Sequence, residues 1–520
     1  MAIDYQCFIE FDSTRSLQEQ VREYLVKAIL AGIFSPEQAL PSCRKLSQQL
    51  KVSRNTVSLV YESLLDDGYL TSRPRSGYYL SDSYKNSQED TEIEISGAED
   101  NSATAAPNWG DKIKVNTHQF PRIVKPTQWS CYKYPFIYGQ PYIDEFPLSH
   151  WREASRKVIA DSQDHGWLCD KVDKDVELLV EQIRTRVLPQ RGIHASNDEI
   201  LITVGSQNGL YLLSQLLMNR ESRVGVENPG YKEAYNIFGL AGAQLHPHQV
   251  DDEGLKFNSL SSMCDYFYVT PSHQAPTGVT MSPQRRKELL ELAHQNDAII
   301  IEDDYDSNSN FELNPAPALK AQDKSGRVIY VSSFSKILAP GLRLGFIVAP
   351  EELIYELRAL RRLMLRHPPT RLQMEMAHFI AQGYYDSFVR RFRENTRQRW
   401  DIINEAVSKH IPYCERLAKN ELSNALWLQT PERVTSQMLV SRSAQYGVLV
   451  ETGHSHFMTS PQESLPTSRE GQSISSRPAM TSTLMSNDAN RYFRLGFHSI
   501  DKELIQPGII ELAKAFDDLK

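Results

Sequence analysis

The chain has 520 residues, of which 40% are hydrophobic and 23% charged, and its formal net charge is -8. This length predicts two or three domains, and the acidic balance argues against a generally basic nucleic-acid coat protein. Six scattered cysteines include no CxxC pair, so neither a disulfide framework nor a zinc site is expected. The N-terminus lacks a cationic stretch followed by an apolar core, and no apolar run could span a bilayer, so we expect a cytoplasmic protein.

Three helices are predicted in the first 68 residues. The first covers residues 16–30 and carries an apolar stripe at four-residue spacing, formed by Leu17, Val21, Leu25 and Ile29. Pro41-Ser42 can start a second helix, and Ser53 is the predicted N-cap of a third helix that ends at Gly68. The third helix is expected to bury Val57, Val60 or Tyr61, and Leu64.

Two short strands follow, at residues 69–72 and 78–80, around a turn at Pro74-Arg75-Ser76-Gly77. Three helices and a hairpin predict a winged helix-turn-helix. Between residues 41 and 80 there are six basic and three acidic residues, and the acids lie at the far end of the third helix. The bases lie at its start, in the helix before it and in the hairpin: Arg44, Lys45, Lys51, Arg54, Arg73 and Arg75.

This charge distribution favours DNA binding. Arg54, Asn55 and Thr56 would occupy the first turn of the recognition helix, where side chains reach base edges and phosphates. Arg44 and the hairpin arginines would contact the backbone. The alternative is a small structural helical domain with a solvated charged face, but it does not account for the order of caps, breakers and arginines.

The same segment resembles the DNA-binding domain of GntR-like transcription regulators. The pattern LPS-x-R-x-L, then VSR-x-TV, then GYL and a wing glycine is present in full between Leu40 and Gly77. The resemblance assigns Gly77 to the wing and residues 1–80 to the DNA-binding domain. Residues 81–128 form an expected linker, since 81–106 are acidic and rich in Ser, Asn and Ala.

From residue 129 onward, short apolar runs alternate with helical patterns, which predicts an α/β domain with a mostly parallel sheet. The predicted strands are residues 200–204, 224–226, 266–270, 298–301, 328–331 and 345–348. Ligands of such sheets bind at the carboxyl ends of the strands. Chemically suggestive residues follow several of them: Gly205-Ser206-Gln207 at the start of a helix, Tyr231 on a tight turn, and Asp303 and Tyr305 in an acidic cluster.

The stretch from Arg327 to Pro350 places Lys336 in a turn between two apolar runs. Ser333 precedes this lysine by three residues and Arg343 follows it by seven. The amine could form a Schiff base with a carbonyl cofactor while the hydroxyls and the guanidinium hold a phosphate. A lone lysine in such a turn is more simply an ordinary surface residue. Together with an aromatic side chain, a helix N-terminus and a carboxylate, it predicts a pyridoxal-phosphate site.

Residues 130–520 resemble a fold-type I aminotransferase domain, and the whole chain is similar to the MocR-type regulators, in which a GntR-like head precedes such a domain. The resemblance assigns the Schiff-base lysine to Lys336 and the phosphate to Ser206, Gln207, Ser333 and Arg343. It also implies that Asp303 pairs with the pyridine nitrogen, Tyr305 reaches the phenolic oxygen and Tyr231 stacks on the ring. Arg494, in the sequence YFRLGF, would bind the carboxylate of an effector.

Three departures from the aminotransferase pattern are visible. Ala275 replaces the asparagine of Asn-Pro-Thr-Gly, and Gln274 or His273 could substitute for it. Residues 164–170 lack the usual paired glycines. Residues 459–490 form a Ser/Thr-rich insertion ahead of Arg494, expected to be a surface loop.

The sequence therefore predicts a cytoplasmic, homodimeric transcription regulator that binds operator DNA and senses a small amine or amino acid. By resemblance, the effector would form an external aldimine and release Lys336, and this would shift the DNA-binding state. An aminotransferase with an accessory head is the main alternative. A cofactor-free dimerisation scaffold would require five matching site elements to be coincidental.

Overall fold

The computed structural model describes residues 9, 11–35, 37–74, 76–81, 107–123, 125–137, 141–160, 166–306, 316–416, 425–458 and 489–519. Arg75, most of the predicted linker and residues 459–488 of the insertion lie outside the described residues. Contacts divide the chain into two units, residues 1–108 and 109–520. Residues 109–128, which were expected to belong to the linker, therefore cluster with the second unit.

Serine caps set the starts of the three helices in the first unit. These are α1 (Leu17–Leu30), α2 (Cys43–Leu50) and α3 (Arg54–Asp66). The hydroxyls of Ser16, Ser42 and Ser53 accept hydrogen bonds from backbone amides of the first turns. A serine N-cap stabilises a helix by about 1 kcal/mol relative to alanine. The N-cap predicted at Ser53 is confirmed.

The head has its own apolar core. Val21, Leu25 and Ile29 of α1 are buried as predicted, and both Val60 and Tyr61 of α3 are buried. Leu17, the first member of the apolar stripe, is 45% exposed. It is the first residue of α1, where the stripe extends beyond the packed part of the helix.

A hairpin completes the head. Strands β1 (Leu70–Arg73) and β2 (Gly77–Leu80) are antiparallel, and Arg73 lies opposite Gly77. Gly77 has φ +113°, a conformation that L side chains rarely adopt, so glycine suits this position. The amide of Leu40 donates to the carbonyl of Tyr78 at 2.8 Å and ties the segment before α2 to the hairpin. The predicted winged helix-turn-helix is confirmed.

An eight-stranded sheet organises the second unit, in the order β4-β11-β10-β9-β8-β5-β6-β7. Its strands are β4 (Ile200–Thr203), β5 (Arg223–Asn228), β6 (Gln244–Asp251), β7 (Gly254–Leu255), β8 (Tyr266–Val269), β9 (Ile299–Asp304), β10 (Val328–Ser333) and β11 (Gly345–Val348). The five strands from β10 to β6 in that order are mutually parallel, whereas β11 and β7 pair antiparallel with their neighbours. The mostly parallel sheet is confirmed.

Apolar side chains on both faces of this sheet are covered by other elements, which is why its strands read as continuous apolar runs. The helices of the unit are α4 (Trp109–Lys112), α5 (Leu148–Ala160), α6 (Glu177–Gln182), α7 (Gly205–Leu217), α8 (Lys232–Leu240), α9 (Pro283–Gln295), α10 (Leu319–Gln322), α11 (Glu351–Leu365), α12 (Thr370–Ala381), α13 (Tyr384–His410), α14 (Ser436–Ser443) and α15 (Lys502–Asp517).

A smaller antiparallel sheet lies toward the C-terminus, in the order β12-β13-β16-β15. Its strands are β12 (Glu415–Arg416), β13 (Ala425–Gln429), β15 (Glu451–Thr452) and β16 (Tyr492–Gly496), and a separate pair joins β3 (Tyr134–Pro135) to β14 (Val448–Leu449). Phe493 and Leu495 of β16 belong to the core shared with α13 and α15. Strand alternation therefore directs Arg494, between them, to the opposite face.

The described ranges contain no helix that is both long and apolar enough to cross a membrane. The same residues contain no group of three or more His, Cys, Asp or Glu side chains placed to hold a metal ion.

Candidate functional site

A helix N-terminus lies at the carboxyl end of β4. Gly205, with φ +77°, turns the chain directly from the strand into α7, and Ser206 and Gln207 occupy the first turn of that helix. The first amides of a helix have no intrahelical acceptor, and the helix dipole adds partial positive charge there. Asn208, which the sequence interpretation did not single out, accepts a hydrogen bond from the amide of Val204 at 3.1 Å and fixes this turn. The arrangement suits a phosphate.

Arg343 lies against the same turn. Its Nη2 donates to the carbonyl oxygen of Val204 at 3.3 Å, and a Cβ atom added to Gly205 would lie 3.2 Å from that nitrogen. Arg343 itself has φ +48°, in the left-handed region. The absence of a side chain at Gly205 is thus what lets the guanidinium approach the helix N-terminus. The structure brings together the predicted phosphate ligands Ser206 and Arg343.

The turn after β10 carries the serines and the lysine. Ser333 is buried, and its hydroxyl donates to the carbonyl of Leu344 at 3.3 Å and accepts from the amide of Ser335 at 3.2 Å. The hydroxyl of Ser335 is also buried and finds no hydrogen-bond partner among the described residues. Ser335 was missed by the sequence interpretation. A buried hydroxyl without a protein partner fits a bound ligand.

Lys336 follows directly. Its Nζ lies 5.8 Å from the centroid of the Tyr305 ring. Burial lowers the pKa of Lys336 to about 8, assisted by the charges of Arg494 and Lys125 and opposed by those of Asp306 and Glu451. A lysine with a lowered pKa supplies the neutral amine that attacks a carbonyl carbon.

Asp303 is positioned by β9 and its neighbour β8. Its Oδ2 accepts a hydrogen bond from the hydroxyl of Tyr268 at 2.9 Å, whereas its buried Oδ1 has no hydrogen-bond partner within the described part of the chain. Burial raises the pKa of Asp303 to about 7, and the Tyr268 hydrogen bond and the Lys336 charge oppose that rise. Tyr268 thus fixes one oxygen of the Asp303 carboxylate, and the other oxygen can accept a hydrogen bond from a protonated ring nitrogen.

The carboxylates on either side of Asp303, those of Glu302 and Asp304, bind groups of the scaffold. Glu302 accepts the amides of Leu319 and Lys320, at 2.7 and 2.8 Å. Asp304 accepts hydrogen bonds from Arg191 and Tyr330, both at 2.8 Å. Strand alternation directs these two to the face opposite Asp303.

Each of the two predicted tyrosines lies near another predicted residue of the site. Tyr231 immediately precedes α8, and burial and the charge of Asp303 raise its pKa while Arg343 opposes the rise. The hydroxyl of Tyr305 donates to the backbone carbonyl of His273 at 3.0 Å. Each predicted ring contact is thus close to Asp303 or to Lys336.

Gln274 does not substitute for the missing asparagine. Its amide nitrogen donates to the carbonyl of Pro229 at 2.8 Å and to Glu227 at 3.2 Å, and its oxygen accepts from the amide and hydroxyl of Thr277. Every polar atom of the side chain is used inside the scaffold.

Arg494 is 1% exposed and lies in β16, one of the two inner strands of the smaller sheet. In register it stands opposite Trp427 of β13 and Glu451 of β15. Its charge is among those that lower the pKa of Lys336. Glu451 and its partner His456 were not singled out from the sequence, since neither carries a local motif.

Most of the predicted DNA contacts that the structure describes are exposed side chains of the head. Arg44, Arg54, Asn55 and Arg73 are exposed, and the Arg73 guanidinium lies 4.3 Å from the centroid of the Tyr79 ring. Thr56 is half-buried, and its hydroxyl is 2.8 Å from the Ser53 hydroxyl, so it takes part in the helix cap. Arg54 and Asn55 are therefore the side chains of the first turn of α3 that are best placed to reach bases.

Two family profiles match separate parts of the chain. The aminotransferase class I and II profile matches residues 139–415, and the profile of bacterial regulatory proteins of the gntR family matches residues 17–80. The chain is 35% identical to the HTH-type transcriptional regulator TauR of Rhodobacter capsulatus over 96% of each chain. It is 28% identical to the probable rhizopine catabolism regulatory protein MocR of Rhizobium meliloti, covering 98% of this chain and 95% of the relative.

Among solved structures, the kynurenine aminotransferase of Pyrococcus horikoshii, determined in complex with PMP, superimposes with a TM-score of 0.64 and 27% identity. The match covers 75% of this chain and 91% of that one. The relatives therefore share both halves of the chain, whereas the aminotransferase shares its larger part. The chain belongs to the MocR-type subfamily of GntR-like transcription regulators, in which a winged helix-turn-helix domain is fused to an aminotransferase-like domain.

Proposed function

We propose that this protein is a pyridoxal-phosphate-dependent transcription regulator that binds operator DNA and senses a small amine or amino acid. The observation that carries this proposal is that Lys336 Nζ lies 5.8 Å from the Tyr305 ring, Asp303 keeps an open oxygen among the described residues and Arg343 lies against the α7 N-terminus, in a chain that also contains a winged helix-turn-helix. We divide the chain into a DNA-binding domain at 1–80, a linker at 81–128 and an effector and dimerisation domain at 129–520.

The residues present fit pyridoxal phosphate. The N-terminal turn of α7, with Ser206, Gln207, Arg343 and Ser333, would hold the phosphate, Asp303 the ring nitrogen, Tyr305 the phenolic oxygen and Tyr231 one face of the ring. Asp303 has an open oxygen and Ser335 a buried hydroxyl without a protein partner among the described residues, as expected where a ligand completes the hydrogen bonds. When bound, the cofactor supplies an aldehyde that condenses reversibly with amines.

The residues around this aldehyde distinguish between amines. Lys336, with its pKa lowered to about 8, supplies the internal amine with which an effector competes. Arg494 supplies a buried cation for a carboxylate or similar anion on the same molecule. Amino acids and related amine-bearing acids therefore fit the site. An effector contributes to regulation only through contacts that differ between two states of the protein, and release of Lys336 and binding at Arg494 provide such contacts.

The head provides the DNA interface. Arg54 and Asn55 on α3 would contact bases in the major groove, and Arg44, Arg73 and Arg75 the phosphates. A homodimer of the aminotransferase-like domain would present two heads to paired half-sites, whose centres lie about 34 Å apart or a multiple of that distance. A regulator of this kind acts in the cytoplasm.

A genuine aminotransferase with an accessory head is the second candidate, because the lysine, the carboxylate and the phosphate cradle are all in place. The winged helix-turn-helix favours the regulator, since an enzyme has no use for it. The site also differs from that of an aminotransferase because Ala275 replaces the asparagine and the Gln274 side chain is hydrogen-bonded within the scaffold.

An absorbance screen of amines separates the candidates. The full-length protein with pyridoxal phosphate should be yellow, and borohydride should fix the cofactor to the wild type but not to Lys336→Ala. DNA fragments selected from a random library by the full chain provide the operator. If the protein is a regulator, at least one amine will change both the absorbance spectrum and the DNA affinity. The Arg494→Ala variant will lose this response and remain yellow. Rapid transamination with unchanged DNA affinity would instead establish the enzyme, and a colourless wild type would exclude both.

A further inference from the structure

The hairpin of the head has one face turned into the core and one turned outward. Leu70 and Leu80 are directly opposed across the two strands, and both are buried. Tyr78 points the same way, since its ring centroid lies 4.6 Å from that of the buried Tyr61. Successive side chains of a strand point to opposite faces. Tyr79, between Tyr78 and Leu80, therefore lies on the outward face, where packing of the head core does not account for a large aromatic ring.

The ring of Tyr79 contacts Arg73 across the two strands. The guanidinium carbon of Arg73 lies 4.3 Å from the centroid of this ring, within the roughly 6 Å range of a cation–π contact. In register Arg73 stands opposite Gly77, and Tyr79 is its diagonal neighbour, two residues further along β2. Because Gly77 has no side chain, the opposed position leaves the path between the guanidinium and the ring open.

The hydroxyl of Tyr79 reaches the turn of the hairpin. It lies 2.6 Å from the Ser76 hydroxyl, and the amide of Ser76 donates to the carbonyl of Arg73 at 3.0 Å. A backbone hydrogen bond and a side-chain hydrogen bond thus both close this turn. One tyrosine therefore contacts the arginine that precedes the turn and the serine within it.

We propose that Tyr79 is a positioning residue of the DNA interface, which holds the Arg73 guanidinium on its ring in the orientation that meets a phosphate of the DNA backbone. This inference deepens the proposed function and rests on it for Arg73 as a DNA contact. The N–H donors of a guanidinium lie in its own plane, so contact of its face with a ring leaves them available to phosphate oxygens. Arg73 is exposed, so a phosphate can approach it.

Positioning affects affinity because an unrestrained arginine side chain has many rotamers. Binding a phosphate restricts it to a few of them, and this loss of conformational entropy opposes binding. A side chain that is already held in one orientation loses less entropy. Contact of a cation with an exposed aromatic face corresponds to about a two- to fivefold change in an equilibrium constant, and we expect an effect of that size on DNA affinity.

A double-mutant cycle of Tyr79→Leu and Arg73→Ala in the full-length protein measures this coupling. The readout is fluorescence anisotropy with the selected operator at several salt concentrations. Tyr79→Leu should weaken binding about two- to fivefold and leave the slope of log affinity against log salt unchanged, because the positive charge remains. Arg73→Ala should weaken binding more and reduce that slope by about one unit. In the Arg73→Ala background, Tyr79→Leu should have no additional effect.

Conservative variants show which part of each side chain matters. Tyr79→Phe keeps the ring and should retain most of the wild-type affinity. Arg73→Lys keeps the charge but loses the planar guanidinium, so it should match Tyr79→Leu in affinity and keep the wild-type salt slope. Thr71→Ala is the matched control, because Thr71 is exposed on the same face and directly opposite Tyr79, and it should leave the affinity unchanged.

The cycle also gives the results that would overturn the proposal. If Tyr79→Leu weakens binding as much in the Arg73→Ala background as in the wild type, or if Thr71→Ala weakens it equally, the tyrosine only stabilises the hairpin. If Arg73→Ala keeps the wild-type salt slope, Arg73 contacts no phosphate. In each of these cases the wild type still binds its operator, so the proposed function stands. A wild type that selects no DNA fragment would contradict the proposed function itself, and the role of Tyr79 with it.

Discussion

The hydroxyl of Tyr268 donates a hydrogen bond to Oδ2 of Asp303 at 2.9 Å, across the adjacent strands β8 and β9. Both side chains are buried, and burial raises the pKa of Asp303 to about 7. The Tyr268 hydrogen bond is the largest influence that opposes this rise. It therefore favours the ionised carboxylate that a protonated ring nitrogen requires.

Tyr268→Phe should weaken the binding of pyridoxal phosphate about tenfold, since a hydrogen bond to a charged group contributes about 1.5–3 kcal/mol and 1.4 kcal/mol is a factor of ten. The loss should be larger below pH 7 than above it. The variant raises the carboxyl pKa further, so protonation removes the charge at a higher pH than in the wild type. Absorbance titration of the cofactor-free protein measures the affinity at each pH.

Tyr266→Phe is the matched control for this change. Tyr266 lies on the same strand, and its hydroxyl donates to the carbonyl of Leu217 at 2.7 Å, away from Asp303. Equal losses in the two variants would mean that a general weakening of β8, and not support of Asp303, is responsible.

The lowered pKa of Lys336 predicts the pH dependence of cofactor attachment. The neutral amine is the nucleophile, so the rate should rise with pH and level off above about pH 8. At pH 7 about one lysine in ten is neutral at this pKa, compared with about one in three thousand for an ordinary lysine. Stopped-flow absorbance after mixing with pyridoxal phosphate gives the rates. A midpoint near pH 10.5 would contradict the assigned environment, and the exposed Lys324, changed to Ala, should leave the profile unchanged.

Gly205→Ala should reduce cofactor affinity about tenfold. The change places an L side chain at φ +77° and brings its Cβ to 3.2 Å from the guanidinium of Arg343, so the arginine has to move away from the phosphate turn. Gly341→Ala is the matched control, because nothing lies within 4 Å of the added Cβ there. Fluorescence titration with pyridoxal phosphate compares the two, and equal affinities would show that Arg343 does not depend on Gly205.

Features that depend on neighbouring residues in the chain were predictable. Serine caps and apolar spacing located the helices of the head, and continuous apolar runs located β9, β10 and β11. The Lys336 turn could be found because its serines and arginine lie within ten residues of it. Leu17 shows the limit of periodicity, since a residue that fits the stripe is still exposed at the first position of the helix.

Features that depend on distant parts of the chain could not be predicted from the residues alone. Three consecutive carboxylates at the end of β9 look equivalent in sequence. The hydrogen bond from Arg191 to Asp304 shows that Asp304 faces the scaffold, so Asp303 faces the opposite side of the sheet. Tyr268 is one tyrosine among apolar residues of a buried strand, so nothing local marks it. His456 contacts Gly230 across 226 residues of chain.

The last prediction concerns the first turn of the recognition helix. Arg54 is exposed at the first position of α3, and Thr56 beside it is engaged with the cap. Arg54→Ala in the full chain should weaken operator binding by about 1–3 kcal/mol, or roughly fivefold to more than a hundredfold, if it reads a base. If Arg54 contacts only phosphate, the substitution would instead weaken binding to selected and unrelated DNA alike and reduce the salt dependence of the affinity by about one unit.

Lys27→Ala removes the same charge from α1, where Lys27 pairs with Glu23 at 2.8 Å, and should leave operator affinity unchanged. Fluorescence anisotropy with selected and scrambled DNA at several salt concentrations distinguishes these outcomes, while the cofactor spectrum of both variants should match the wild type. Operator affinity unchanged in Arg54→Ala would remove α3 as the recognition helix.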